Sequence, residues 1–265
     1  MHTEETLQGG NMTSILKKHG KIHRERHLWS PSTQRLLQHL EAAGFHQAPK
    51  HLGTDGVGRE ILTFMEGECK HLYPFTNDRQ INRQIITDLA GLIRKFHDAS
   101  ASFKISGKDI WMLSYQGNLP KEVICHNDIA PYNVAFINDR PVHLIDFDTC
   151  CPAPRIWDIV YALYRFVPFS KTVYDPERAI FREYRASNDA DWRRESVALF
   201  FRAYQMPCPE NLFEIMADRL RALADYICSE ARKKNPVFEK MVQEKHLDLY
   251  LSDIAFMEKH SSSWI

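Results

Sequence analysis

Val123-Ile124-Cys125-His126-Asn127-Asp128, continued by Ile129-Ala130-Pro131-Tyr132-Asn133 and then by Val142-His143-Leu144-Ile145-Asp146-Phe147-Asp148, is the stretch that most limits what this chain can become. Its H-x-D-x-x-x-x-N spacing places a carboxylate and an amide five residues apart on one loop. In phosphoryl transfer, an Asp so placed accepts the proton of an attacking hydroxyl and the Asn holds a divalent ion. Asp128 and Asn133 fill those places. Asp146, thirteen residues beyond Asn133, ends an apolar run that reads as a strand, where its carboxylate can meet the same ion. Residues 134–137 and 142–145 flank Asn138-Asp139-Arg140-Pro141, which predicts a hairpin that fixes Asn133 relative to Asp146. Singly, His, Asp and Asn are ordinary loop residues. The combination is far more specific.

At these residues the chain resembles the aminoglycoside phosphotransferase and choline-kinase-like family, whose members carry an HxD…N loop followed by a hydrophobic-Asp-Phe or Asp-Trp strand. The resemblance extends over most of the chain. Upstream, Trp29-Ser30-Pro31, the run Leu36 to Phe45, Ala48-Pro49, Gly53 and Gly58-Arg59-Glu60 resemble the family's first helix and paired strands; downstream, Pro152 to Asp158 and Ile159 to Leu163 resemble the segment after the metal Asp. The fold implied is α+β, a two-lobed protein-kinase-like fold. A small antiparallel-sheet N-lobe over 1–66 carries the nucleotide-binding strands and a helix. A larger, mostly helical C-lobe over 67–265 carries the catalytic loop, the metal site and the substrate region.

The activity implied is transfer of the γ-phosphate of ATP or GTP, with Mg²⁺, to a hydroxyl of a small molecule of the aminoglycoside, choline or sugar kind. In that scheme Asp128 is catalytic and Asn133 and Asp146 hold the metal. Asp158 resembles a family Asp that braces the loop, and His126 is read as loop support in place of proton acceptor. Asp148 joins as a further metal ligand only if the strand persists through Phe147, since alternation then puts it on the face of Asp146.

The N-terminal part departs from the pattern. Related enzymes use a third-strand cation on the phosphates, positioned by a helix Glu. Here that strand is Lys21-Ile22-His23-Arg24, and the preferred register puts His23 in the cationic place. Alternation forbids both His23 and Arg24 from facing one side, so one lies outside. A slip of one selects Arg24, whose guanidinium stays charged and bridges two phosphate oxygens. The helix opening Ser32-Thr33-Gln34-Arg35 has no early Glu. Gly9-Gly10-Asn11 fits a loop whose N–H groups approach phosphates, with Gly10 as the binding position. Met65 falls where a hinge would offer backbone groups to an adenine edge, and a plain strand exit explains it equally well.

Lys and Arg number 34 against 34 Asp and Glu, so there is no net field to draw nucleic acid or an anionic membrane, and neither is expected as a partner. This weighs against reading Lys17, Lys18, Lys21, Arg24 and Arg26 as a nucleic-acid stripe. The six cysteines form no C-x-x-C pair, and Cys150-Cys151 are too close in sequence for an ordinary disulfide. With no secretion-like start and no long apolar run, a cytoplasmic setting is expected. A rival class is a catalytically weak kinase-like protein that binds a nucleotide or ligand, motivated by the missing Lys and Glu.

Periodicity supplies the remaining elements. Ser30-Pro31 starts a helix through Ala43 that Gly44 ends, burying Leu36, Leu37 and Leu40. His51–Thr54 and Glu60–Met65 predict a second hairpin. Ile85, Ile86, Leu89, Leu92, Ile93 and Phe96 mark an amphipathic helix from 81 to about 100 that underlies the catalytic loop. Beyond Pro176 the chain reads as helices broken near Pro207–Pro209 and Asn235-Pro236. Their acceptor-side candidates include Tyr161, Tyr164, Asp189, Asp191, Trp192, Tyr204 and Glu210, with no spacing that selects a substrate.

Overall fold

The computed structural model describes residues 4–7, as backbone, and 15–265. Gly10 lies outside the described residues. Among those described, the chain forms two compact units. The first gathers the chain up to Cys69 with Arg94–Asp128 and Asn133–Arg155; the second gathers Lys70–Ile93, Ile129–Tyr132 and Ile156–Ile265.

The first unit contains an antiparallel sheet of β1 (Glu4–Leu7), β2 (Ile15–Lys18), β3 (Lys21–Arg24), β4 (His51–Thr54) and β5 (Glu60–Thr63), in the order β1-β2-β3-β5-β4. His19 and Gly20, both at positive φ, make the two-residue turn between β2 and β3, the backbone that primed hairpin turns require. α1 (Ser30–Ala42) follows, with Pro31 in its first turn, and it ends at Gly44, whose φ of +81° an L side chain resists. Leu36, Leu37 and Leu40 are buried as their spacing predicts.

α2 (Arg79–Ser100) buries Ile85, Ile86, Leu89, Ile93 and Phe96. Its Phe96 ring lies 5.8 Å from Phe45, 5.7 Å from Phe147 and 6.4 Å from His126. The segments of His126 and Phe147 thus rest on an aromatic floor. β6 (Val123–Cys125), wholly buried, leads into that loop and pairs with β9 (Cys151–Ala153).

β7 (Val134–Ile137) and β8 (Arg140–Leu144) form the predicted hairpin, with a tighter turn than the sequence suggested. Asn138 and Asp139 alone make it, both at positive φ, so Arg140 and Pro141 belong to the strand. The hairpin is tied back to the segment after β5 by paired bonds between Glu68 and Phe136, each 2.9 Å. Gly67 makes that approach possible: its φ is +129°, and a Cβ there would lie 2.9 Å from the Phe136 carbonyl oxygen. Gly67→Ala is therefore expected to destabilise by roughly 1–3 kcal/mol through backbone strain. A lowered urea midpoint at unchanged slope checks this, and an unchanged midpoint refutes it.

In the second unit, α3 (Arg155–Phe166) begins with Asp158 buried in its first turn, where a carboxylate suits the helix dipole. The expectation of helix directly beyond Pro176 is corrected. β10 (Thr172–Asp175) and β11 (Ile180–Glu183) form a hairpin there, and helix resumes at α4 (Ala186–Tyr204). Residues 180–183 do not alternate, and their strand state comes from cross-strand contact such as Tyr174 on Phe181, 5.2 Å between rings. α5 (Leu212–Arg232), α6 (Pro236–Gln243) and α7 (His246–His260) complete the unit, with breaks where the prolines predicted them. Its core includes Phe169, Phe213 and the fully buried Trp264, with ring centres 5.1–5.5 Å apart. No helix among the described residues is long and apolar enough to cross a membrane.

Candidate active site

Asp128, Asn133, Asp146 and Asp148 lie within the first unit. After β6 the chain turns through Asn127, at φ +66°, which aims the next side chain away from the strand direction. Asn127 is buried and donates its amide to the Thr149 carbonyl at 3.0 Å; Thr149 returns its hydroxyl to the His126 carbonyl at 2.7 Å. The loop and the segment that follows Asp146 are thereby laced together.

His126 is fully buried and bridges the two functional segments. Its Nδ1 accepts from the Asp128 N–H at 3.4 Å, so its Nε2 carries the proton given to the Ile145 carbonyl at 3.0 Å. One ring thus sets the backbone of Asp128 and the residue before Asp146. Asn133, at the end of a 3₁₀ turn (Pro131–Asn133), donates its amide to the Asp128 carboxylate at 2.8 Å and to the Asp128 carbonyl at 3.0 Å. Its own carbonyl accepts from the Ile145 N–H at 3.0 Å. With its NH₂ committed to Asp128, Asn133 keeps its side-chain oxygen as the group for a cation.

Asp146 does not end a strand. β8 stops at Leu144, Asp146 adopts φ +62°, and a 3₁₀ turn (Phe147–Thr149) follows. The alternation argument for Asp148 therefore fails, yet both carboxylates converge, because the tight turn brings residues two apart onto one guanidinium. Arg24 donates from Nη1 to Asp146 at 3.2 Å, from Nη2 to Asp148 at 2.9 Å and from Nε to Glu60 at 2.5 Å. Arg24 and Glu60 are direct cross-strand partners on β3 and β5, which puts them on one sheet face.

Of the two β3 side chains, one meets the Asp146 and Asp148 carboxylates. It is Arg24, whereas His23, the residue favoured by the preferred register, turns to Asp55 at 3.0 Å. Neither lies outside: both are buried, His23 with its ring bonded to the Asp55 turn. Hydrogen bonding from His23, with further bonds from Arg59 and Val57, holds the Asp55 carboxyl well below the usual range against a smaller opposing effect of burial.

The acid that positions the cation was not visible in the sequence because it comes from a strand. Glu60, with its side chain 1% exposed, accepts from Gln34 of α1 at 3.2 Å, so the helix supplies an amide to hold the Glu instead of the Glu itself. A rule expecting the acid on the helix misses it; a paired register for β3 and β5 would have found it. Burial opposes the charge on Arg24, but Asp148, Asp146 and Glu60 outweigh it and hold the guanidinium above its ordinary value. Burial pushes the Asp148 carboxyl up, Arg24 pulls it down, and Asp146 and Glu60 push it up again. Three carboxylates around one guanidinium leave the site with surplus negative charge, and Asp146, 47% exposed, is its open edge.

Met65 follows β5, its sulfur 3.8 Å from the Thr63 hydroxyl. In the second unit, Tyr164 donates to Asp253 at 2.8 Å, Tyr204 is buried and stacked on Phe200, and Asp189 is held by Arg182. Those bonds account for three acceptor-side candidates structurally.

With this geometry in hand, three comparisons bear on it. A family model described as "Phosphotransferase enzyme family" matches residues 109–197, the span that holds Asp128, Asn133, Asp146 and Asp158. The trifolitoxin immunity protein of Rhizobium leguminosarum bv. trifolii is 36% identical over 156 residues, which is 57% of this chain and 58% of that protein. The chain thus aligns with little more than half the length of that relative.

Among solved structures, the gentamicin complex of APH(2″)-IIa superposes with a TM-score of 0.61 at 14% identity, covering 96% of this chain and 91% of that one. The GDP complex of wild-type aminoglycoside 2′-phosphotransferase-IIIa gives 0.59 at 12%, covering 96% and 92%. A choline/ethanolamine kinase family protein from Mesorhizobium loti gives 0.59 at 12%, covering 99% and 91%. The fold is the α+β, kinase-like fold of the aminoglycoside phosphotransferases and choline kinase family proteins. The span matched by the family model includes the loop and hairpin described above.

Proposed function

We propose that this chain is a nucleotide-dependent phosphotransferase that moves the γ-phosphate of ATP or GTP to a hydroxyl of a small molecule. The observation that carries the reading is the Asp128–Asn133 bond of 2.8 Å, combined with the Asn133–Ile145 backbone bond of 3.0 Å. Together they lock a proton-accepting carboxylate against two oxygen donors. Asp128 would orient the acceptor hydroxyl and take its proton, which matters less than positioning in a reaction dominated by electrostatics.

The donor set fits Mg²⁺: a half-exposed carboxylate at Asp146 and the free amide oxygen of Asn133 are hard oxygens beside surplus negative charge. What Mg²⁺ supplies when bound is neutralisation of the β- and γ-phosphate oxygens. Arg24, backed by Glu60, is the phosphate-side cation, with His23 beside it as a weaker candidate, and Gly10 and the Met65 backbone complete the nucleotide side in the lobe over 1–66. His126 holds the loop and Asp158 braces it. A reducing, cytoplasmic setting belongs to the same reading, from six cysteines whose spacing offers no C-x-x-C pair.

A second reading is favoured by one finding: the 36% identical relative is named an immunity protein. On that reading the chain protects against a toxin, by phosphorylating it or by binding it with little catalysis. Thermal shift with ATP and GTP, with and without Mg²⁺, followed by a phosphorylation panel of aminoglycosides, choline and sugars, separates the readings. A Mg²⁺-dependent shift with transfer to a panel member is expected. A shift with no transfer to any acceptor selects the binding reading, and no shift with either nucleotide overturns the enzyme.

A further inference from the structure

The second unit holds a cavity of about 260 Å³ whose lining includes the acceptor-side candidates Asp189 and Trp192, walled by the β10–β11 hairpin, the first turns of α2 and the start of α4. Among its lining residues is Arg193, which has no exposed surface. A buried guanidinium ordinarily fills its N–H positions with carboxylates or carbonyls. Arg193 does so once, from Nη2 to the Ser170 carbonyl at 2.7 Å, while its Nε and Nη1 have no partner. The faces of Tyr184 and Trp264, 4.1 and 4.5 Å from its central carbon, favour the charge without accepting those protons.

Across the same cavity Asn82, 4% exposed, gives its amide to the Thr76 carbonyl at 2.9 Å but leaves its side-chain oxygen without a donor. The cavity's carboxylates do not answer Arg193. Asp189 is taken by a two-pronged bond from Arg182, 2.8 and 2.6 Å, and by the Arg185 N–H at 2.8 Å. Asp175 receives Asn77 at 3.0 Å. Arg79, a second lining guanidinium, bonds only the Asn188 carbonyl and rests over the Trp192 ring, without a carboxylate.

Arg193, with two unpartnered N–H positions, Asn82, with an unpartnered amide oxygen, and the exposed Arg79 therefore line one half-open volume of small-molecule size. The geometry points to a binding site for a small carboxylate that also bears a hydroxyl or amine: the carboxylate on Arg193 and Arg79, the donor on the Asn82 oxygen. This site is separate from the loop and carboxylates assigned to phosphoryl transfer and stands whether or not that assignment holds. Burial pushes Arg193 down to about 10, against the pull of Tyr184, Asp189 and Asp253.

Calorimetry and thermal shift on the full chain with lactate, L-serine, acetate and inorganic phosphate test this. Saturable binding of lactate or L-serine below about 10 mM, with acetate at least about ten-fold weaker for want of the donor, is expected. Arg193→Met should abolish it, and Arg79→Gln, at an exposed position that leaves the core untouched, should weaken it about ten-fold. Asn82→Leu should bring lactate down to the affinity of acetate. Should Arg193→Met fail to fold, the other two variants carry the test. Absence of saturable binding by all four probes, or binding indifferent to Arg79→Gln and Asn82→Leu, overturns the site. Preference for phosphate over both hydroxy and amino acids overturns the carboxylate assignment.

Discussion

Asp128→Asn is expected to fold, to bind nucleotide with near-parental affinity and to transfer phosphate about 10²–10⁴-fold more slowly, the range spanned by a positioned general base. The substitution keeps the shape that receives the Asn133 amide at 2.8 Å but removes the charge that accepts a proton. Asp146→Ala should behave differently. It deletes the open edge of the carboxylate cluster, so the tightening of nucleotide binding by Mg²⁺ is lost, and transfer falls at least as far. Single-turnover transfer and calorimetry with and without chelator distinguish the two. Wild-type transfer by Asp128→Asn overturns the proton-acceptor role, and loss of nucleotide binding in that variant moves Asp128 to the metal. Equal nucleotide affinity in chelator, unchanged in Asp146→Ala, defeats the metal assignment.

How much of this was legible before any coordinates depends on the range of the interaction concerned. Helix α1 and the buried stripe of α2 follow from local spacing, start signals and a terminating glycine, and each stands where the residues put it. The β7–β8 hairpin follows too, apart from its turn, where Asn138 and Asp139 take the positive φ values alone. Tertiary pairing was less accessible. Residues 180–183 become a strand because β10 offers a partner, not because they alternate. Asp146 and Asp148 share a target through a 3₁₀ turn that overrides strand periodicity.

The candidate site divides the same way. Asp128, Asn133 and Asp146 are readable as a spacing because a single loop and a single hairpin carry them, and short connections leave little freedom. Glu60 is not, since it reaches Arg24 only through the register of two strands separated by a helix and a further strand. Asn127 was passed over as a loop residue, although its positive φ and its bond to Thr149 are what hold the loop to the metal-side segment. The choice between His23 and Arg24 turned on one residue of register, which sequence periodicity of 2 cannot fix without knowing which face is covered.

Arg24→Met is expected to cost stability and nucleotide binding at once, and a second substitution separates the two. Removing the guanidinium leaves Glu60, 1% exposed at its side chain, without its 2.5 Å partner. Stranding one member of a buried ion pair typically costs about 3–5 kcal/mol. Glu60→Leu on top of Arg24→Met removes the stranded charge, and replacing a buried pair by apolar groups is often neutral, so the double variant should recover at least ~1 kcal/mol. Nucleotide affinity should not recover with it. A charged hydrogen bond contributes roughly 1.5–3 kcal/mol, so loss of the Arg24 contact to phosphate leaves both variants about ten-fold or more weaker. Lys21→Ala, at the exposed end of the same strand, is the control and should change neither quantity appreciably. Urea unfolding and calorimetry read the two effects independently. A single variant as stable as the parent contradicts the buried-pair account, whereas a stable double variant with parental nucleotide affinity shows that Arg24 serves the carboxylates and not the phosphates.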